Sequence, residues 1–214
     1  MTFNLVGVGL GFYLSHLVDK AAFFSLFVII SILLYVYATY LKRTLLVGNI
    51  VISILVALSI IIVGIFDLLP LTTAKNQNLQ LTFFKIIFDY AVFAFGINLL
   101  RETAKDIEDI NGDYKAGMNA LPIAIGRERA KKVLAVLNFV PLIGVVIYII
   151  SSLYKQPIFV GYFLLFVVGP QLYICLKTFN ANTKKDFSHL SSMYKLVMLF
   201  GMLSLLLYKY VILN

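Results

Sequence analysis

Apolar side chains fill this sequence in long blocks, and the polar ones gather in the intervals between them. Six blocks run from Ala21 to Leu41, Val47 to Leu69, Leu81 to Leu100, Val133 to Ile150, Ile158 to Leu176 and Met193 to Leu213. Each approaches or exceeds the roughly 18 residues that a helix needs to cross a hydrocarbon core. A seventh, Phe3 to Val18, is thinner and carries Asn4, Ser15 and His16. Strong alternation of the barrel type is absent, so the blocks read as helices. The pattern predicts an all-α, polytopic membrane bundle of about seven transmembrane helices, built as a single domain over residues 1–214.

Composition agrees and excludes a soluble domain. Hydrophobic residues make up 61% of the chain and charged ones 13%, with a mean hydropathy of +0.96, against about 45–50% apolar content in soluble proteins. No basic region follows Met1 and no small-residue cleavage pattern closes the first apolar block, so the helices themselves direct insertion. The single Cys175 lies in an apolar run, which rules out a disulfide framework.

The net charge of +8 has a topological origin rather than a nucleic-acid one. When the connections are placed alternately on two sides, one side collects Lys42, Arg43, Arg101, Lys105, Lys115, Arg127, Arg129, Lys131, Lys132, Lys177, Lys184 and Lys185. The other holds Lys20, Lys75 and Lys155, while Lys85, Lys195 and Lys209 fall within spans. The positive-inside rule puts the richer side in the cytoplasm of a cell-membrane protein and Asn214 outside.

Two connections stand out. Leu71 to Gln80, with Asn76, Gln77 and Asn78, reads as a solvated outer loop. Arg101 to Lys132 is too long and too patterned for a linker. No Gly or Pro interrupts Asn98 to Asp109, so the preceding helix is expected to continue beyond the bilayer until Gly112. Inside the spans, Asp67 and Lys85 are close enough to the outer surface to reach water. Asp89 can pair with Lys85 at i, i+4, and Lys195 can snorkel to the inner surface.

The cytoplasmic extension carries the candidate chemistry. On a helix, Asp109 and Asp113 are about 40° apart and Asp106 lies one turn earlier. Carboxylates that close repel one another unless a cation neutralises them, and oxygen ligands favour Mg²⁺ shared with substrate phosphates. Arg101 and Lys105, with Asn98 a turn below, are positioned to hold phosphate oxygens that a metal leaves free. The alternative on spacing alone is a solvated helix with intrahelical ion pairs. Phe83, Phe84, Phe88, Phe93 and Phe95 are available to line an apolar cavity beneath the cap, or to pack and face lipid. His16 and His189 have no ligand-spaced companions.

The stretch Arg101-Glu102-x-x-Lys105-Asp106-Ile107-Glu108-Asp109-x-x-Gly112-Asp113-x-x-x-Gly117-x-x-x-Leu121-Pro122-Ile123 resembles the second aspartate-rich motif of the UbiA family of intramembrane prenyltransferases. Its Lys-Asp-Ile-Glu-Asp wording is most similar to the branch that adds a geranylgeranyl group to geranylgeranylglyceryl phosphate. A looser likeness runs through Tyr40-Leu41-Lys42-Arg43-Thr44-Leu45-Leu46-Val47-Gly48-Asn49, similar to a Lys-Arg and Gly-Asn junction of that family. The resemblance implies nine helices around a cavity, two facing aspartate-rich motifs, Mg²⁺ as cofactor, and transfer of a prenyl group from its diphosphate to a lipid or aromatic acceptor. Carried onto this chain, Asp109 and Asp113 are the metal-associated carboxylates and Asp106 supports them. Arg101 and Lys105 contact diphosphate or acceptor phosphate, and Lys42 and Arg43 are further anion-binding candidates.

The family's first motif, Asn-Asp-x-x-Asp-x-x-x-Asp, has no counterpart here, and the seven spans match the last seven of nine. The reading is therefore of an N-terminally shortened member. Ala120 also stands where the family often has Thr. Two other function classes stay open on sequence grounds: a non-catalytic membrane remnant, and a transporter, whose pathway charges would be expected near the midplane rather than at one mouth.

Overall fold

The computed structural model describes residues 2–208. Ten α-helices follow one another: α1 Thr2–Leu17, α2 Phe24–Thr39, α3 Val47–Leu68, α4 Gln77–Lys115, α5 Leu121–Ile125, α6 Arg127–Leu137, α7 Phe139–Tyr148, α8 Pro157–Phe163, α9 Gly169–Asn180 and α10 Lys184–Leu203. Adjoining short helical turns merge several of these into continuous rods. Six rods among the described residues are long and apolar enough to cross a membrane: Ala21–Thr39, Val47–Leu71, Gln77–Lys115, Arg127–Leu153, Pro157–Asn180 and Lys184–Leu207. This is a multi-pass membrane protein. The predicted end of the last span at Leu213, Lys209 within it, and the placement of Asn214 fall outside the described residues.

The seventh, thinner block forms α1, whose 16 residues span about 24 Å. It lies against α2, where Gly11 leaves room for the Phe27 ring. The outward surface is greasy throughout: Phe3, Leu5, Val63, Val140, Ile143 and Leu165 are all exposed. In a bilayer such residues meet lipid, and the backbone polar groups are satisfied within the helices.

The core lies in the C-terminal half, where α4, α6, α9 and α10 converge. Ile97, Ile107, Leu134, Ile174, Phe187, Leu190 and Val197 are inaccessible there, with Ala104 and Ala130 allowing close helix approach. A buried polar knot ties the end of α6 to α9 and α10. Tyr194 donates to Asn138 Oδ1 at 2.6 Å, and Asn138 Nδ2 donates to Thr178 Oγ1 at 3.3 Å. Two irregular points of the rods have sequence causes: Pro141 just after the Asn138 joint, and Pro170 just after the π-helical turn 164–168.

The predicted long connection from Arg101 to Lys132 is corrected, because almost all of it is helical. α4 runs through Gly112 and ends only at Lys115. Gly117, at φ +68°, ends it. The Met118 N–H then bonds the Asp113 carbonyl and the Gly117 N–H the Tyr114 carbonyl, so a left-handed glycine satisfies the last carbonyls. Gly112 is solvent-facing, and a single glycine costs an exposed helix only about 1 kcal/mol. The connection from Leu71 to Gln80 is likewise shorter than expected, since Gln77 to Gln80 already belong to α4.

Candidate functional site

At 1.5 Å per residue the 39 residues of α4 extend about 58 Å, nearly twice a hydrocarbon core. Its apolar part ends at Leu100, so the carboxylates that follow stand beyond the bilayer on a rigid continuation of the membrane helix. At about 100° per residue, Phe88, Val92, Phe95, Leu99, Glu102, Asp106 and Asp113 all fall within about 40° of one line along that helix. One face is greasy below and acidic above.

The acidic part is set against α3 by a close backbone approach. A Cβ on Gly48 would lie 2.5 Å from the Leu41 carbonyl oxygen, so only glycine lets the Leu41–Arg43 turn fold back on the start of α3. The next residue, Asn49, then donates Nδ2 to Asp106 Oδ2 at 2.7 Å. Below this, Asn98 Nδ2 donates to Ser53 Oγ at 3.1 Å, and Ser53 donates to the Asn49 carbonyl at 2.6 Å. Arg101 donates to Asn98 Oδ1 at 3.2 Å and pairs with Glu102. A hydrogen bond from the Asn119 N–H to the Arg43 carbonyl, 3.0 Å, draws the loop after α4 onto the Lys42–Arg43 turn.

The predicted residues separate into three groups. Asp106 and Asp113 share the face just described, and Lys42 and Lys105 lie close enough to Asp113 to favour its charged form. Asp109 sits to one side and pairs with Lys184 of α10 at 3.2 Å. Asn98 is 2% exposed and held by Ser53, so it braces the Arg101 guanidinium rather than facing the rim. Arg101 itself is engaged by Asn98 and Glu102. Lys42, Arg43 and Lys105 are exposed.

Glu102, Asn49, Tyr37 and Lys184 complete the rim and were not singled out from sequence. Glu102 could have been found, being i, i+4 from Asp106 on the same face. Asn49 stood inside the Gly-Asn junction. Tyr37 comes from α2 into electrostatic reach of Arg101, Glu102 and Asp106, which no local spacing announces.

Burial pushes the Asp106 carboxyl up to about 6. The Asn49 hydrogen bond and Lys105 oppose the rise, while Asp113 and Glu102 add to it. Asp113 is also raised, by burial first and then by Asp109. The charges of Asp106 and Asp113 are thus incompletely compensated where they stand, chiefly because burial strips them of water.

That imbalance fits a hard divalent cation in donor chemistry, since every candidate ligand is a carboxylate oxygen. Among the described residues, however, no three acidic, histidine or cysteine side chains converge on one point. The expected set of Asp106, Asp109 and Asp113 is therefore not preassembled. Mg²⁺ usually binds through one or two carboxylates plus substrate phosphates, a requirement that Asp106 and Asp113, about 10 Å apart along α4, meet singly and not as a pair.

Beneath the rim, α4 and α7 enclose an apolar groove of about 620 Å³, in the usual range for small-molecule sites. Phe88, Phe93 and Phe95 line it with Val92, Leu99 and Pro141. Of the five phenylalanines expected there, Phe83 and Phe84 are not part of the lining. The Lys85–Asp89 ion pair is also absent among the described residues.

Residues 1–200 match the family model described as the UbiA prenyltransferase family. The chain belongs to that family. It is 30% identical over 180 residues to digeranylgeranylglyceryl phosphate synthase of Methanosphaera stadtmanae, covering 83% of this chain and 59% of the relative. The protein of the same name from Methanococcoides burtonii is 28% identical over 202 residues, covering 94% and 63% respectively. That of Thermococcus gammatolerans is 34% identical over 134 residues, 62% of this chain and 43% of the relative. The chain thus spans at most 63% of the length of these UbiA relatives. No solved structure matches it.

Proposed function

We propose that this chain carries the second half of an intramembrane prenyltransferase site. It binds a prenyl diphosphate, geranylgeranyl diphosphate by analogy with the named relatives, for transfer to geranylgeranylglyceryl phosphate. One observation carries the reading: the acidic rim and the apolar groove lie on the same face of one continuous helix. A molecule with an anionic head and a hydrocarbon tail matches both ends at once. In the proposed topology the rim faces the cytoplasm, a placement supported by the excess of Lys and Arg on that side.

Asp106 and Asp113, with Asp109 beside them, would hold Mg²⁺. The ion's chemistry there is to offset charge on the diphosphate. Lys105, Lys42 and Arg43 bind phosphate oxygens from the opposite side, where their ammonium and guanidinium donors are unhindered. Arg101, braced by Asn98, stabilises the same charge from below, and Tyr37 closes the rim with a phenol donor. The groove aligns the tail so that the allylic carbon lies at the rim and water is kept from it. The C–O bond breaks with its electron pair leaving on diphosphate. The acceptor hydroxyl then bonds to the allylic carbon and gives up its proton to the released diphosphate. These groups act on charge that develops as the bond breaks, where fixed electrostatics is most effective.

The test is binding and turnover by the purified chain in lipid nanodiscs, with labelled geranylgeranyl diphosphate. Binding that needs Mg²⁺ and is removed by EDTA is the expected result. Added geranylgeranylglyceryl phosphate should then yield the diether, while prenylation of an aromatic acceptor instead would reassign the acceptor class. Binding without turnover on any acceptor would identify a non-catalytic remnant. Absence of diphosphate binding with or without Mg²⁺ overturns the reading.

A further inference from the structure

The groove has a lower wall that the proposed chemistry leaves unused. Away from the rim, its lining passes from Leu99, Phe95 and Val92 to Asp89 on α4 and Tyr148 on α7. The same two residues line a second cavity of about 250 Å³, whose other walls include Thr82, Lys85, Ser152, Gln156 and Tyr208. Asp89 and Tyr148 therefore form the partition between an almost wholly apolar space and a mixed one, in which Thr82, Lys85, Ser152 and Gln156 stand beside Ile86, Leu153 and Phe159.

The partition is braced. The Tyr148 hydroxyl shares a hydrogen bond with that of Tyr208 at 2.6 Å, and its ring lies against Phe163 at 6.1 Å between centroids. Tyr208 is backed edge-on by Phe159 at 4.8 Å and by Tyr90 at 6.4 Å. From Glu102 at the rim to Asp89 is thirteen residues of helix, or about 20 Å. At about 5 Å per extended isoprene unit, four units fill the groove down to Tyr148. The next isoprene unit would meet a braced ring, and beyond it Lys85, Asp89 and Gln156, which lose hydration if hydrocarbon enters.

We infer that Tyr148, with Asp89 beside it, sets the length of the isoprenoid that the groove accepts. This rests on the groove being the prenyl-tail site. Tyr148 is then a specificity-determining residue remote from the reacting bond, since Asp89 beside it stands about 26 Å along α4 from Asp106.

Competition binding by farnesyl, geranylgeranyl and geranylfarnesyl diphosphates, with Mg²⁺ and the full chain in nanodiscs, tests it. The free tail already lies in lipid, so the gain comes from packing against the groove walls, and one isoprene unit accommodated inside the groove should raise affinity several-fold. The wild type should show that gain from farnesyl to geranylgeranyl and none from geranylgeranyl to geranylfarnesyl. Tyr148→Ala, which joins the two cavities, should restore the gain for geranylfarnesyl, and Tyr148→Phe should keep the wild-type cut-off. Gly144 lines the groove one turn nearer the rim, and a Cβ there would meet nothing within 4 Å. Gly144→Leu should accordingly move the preference to farnesyl, which decides the matter should Tyr148→Ala fail to fold. Identical length profiles for the wild type and Tyr148→Ala, or undiminished geranylgeranyl binding by Gly144→Leu, would overturn the inference. A wild type that binds none of the three overturns instead the reading of the site itself.

Discussion

Replacing Asp106 by Asn should stabilise the metal-free protein while destroying ligand binding. Asn keeps the shape of the side chain and an oxygen to accept from Asn49 Nδ2, now 2.7 Å away, but cannot ionise. Folding raises the Asp106 carboxyl from 3.8 to about 6, so the folded chain holds this proton more tightly than the unfolded one. Between those limits the folded state binds more protons, and stability must fall as pH rises through the window, levelling off above about 6. The gap corresponds to an upper bound of about 3 kcal/mol at 1.36 kcal/mol per pH unit. Asp106→Asn escapes that cost. Thermal unfolding in detergent with EDTA, from pH 4 to pH 8, is the assay. The wild type should lose stability relative to Asp106→Asn as pH rises from 4 to 6, then run parallel to it, the contributions of other carboxylates cancelling in the difference. In parallel, Mg²⁺-dependent diphosphate binding by the wild type should weaken below about pH 6 and be absent from Asp106→Asn at every pH. A variant less stable than wild type at pH 8 would refute the claim that the rim carries uncompensated charge.

Gly48→Ala places a Cβ 2.5 Å from the Leu41 carbonyl, a backbone atom that cannot rotate away. It should cost about 1–3 kcal/mol in thermal unfolding and weaken diphosphate binding, because Lys42, Arg43 and Asn49 all shift with the turn. Tyr194→Phe removes the donor to Asn138 in the buried knot and should cost about 1–3 kcal/mol, leaving diphosphate affinity unchanged. Equal binding defects in the two variants would show that the first acts through general instability and not through the rim.

How much of this was legible in the sequence follows from the range of each interaction. The spans are written in runs of like residues, and the groups that matter for them are neighbours in the chain. Asp106 and Asp113 likewise share a face through helical repeat alone. What failed was the boundary of α4, since Gly112 is a breaker only on average and the stop lies at Gly117, where a positive φ is needed. The partners of the rim were hidden for a different reason. Asn49 is 57 positions from Asp106, and Lys184 is 75 from Asp109, so only the packing of α3 and α10 on α4 brings them in. The three carboxylates that the spacing groups together do not converge on one point among the described residues. Asp109 is turned about 60° from Asp106, enough for Lys184 to claim it.

The use of a single helix for both halves of the site has a mechanical consequence. Had the carboxylates stood on a loop, their height above the groove would vary with every loop fluctuation, and the reacting carbon with it. On α4 the separation is fixed by helical rise at 1.5 Å per residue, so Asp106 stands about 27 Å from Phe88 in every state in which the helix persists. The distance between the anionic head and the lower wall is then a property of sequence register. Inserting one residue between Leu100 and Asp106 would turn the carboxylates by about 100° away from Asn49, whereas it would lift them by only about 1.5 Å. Register, more than reach, is what couples the tail groove to the charged rim.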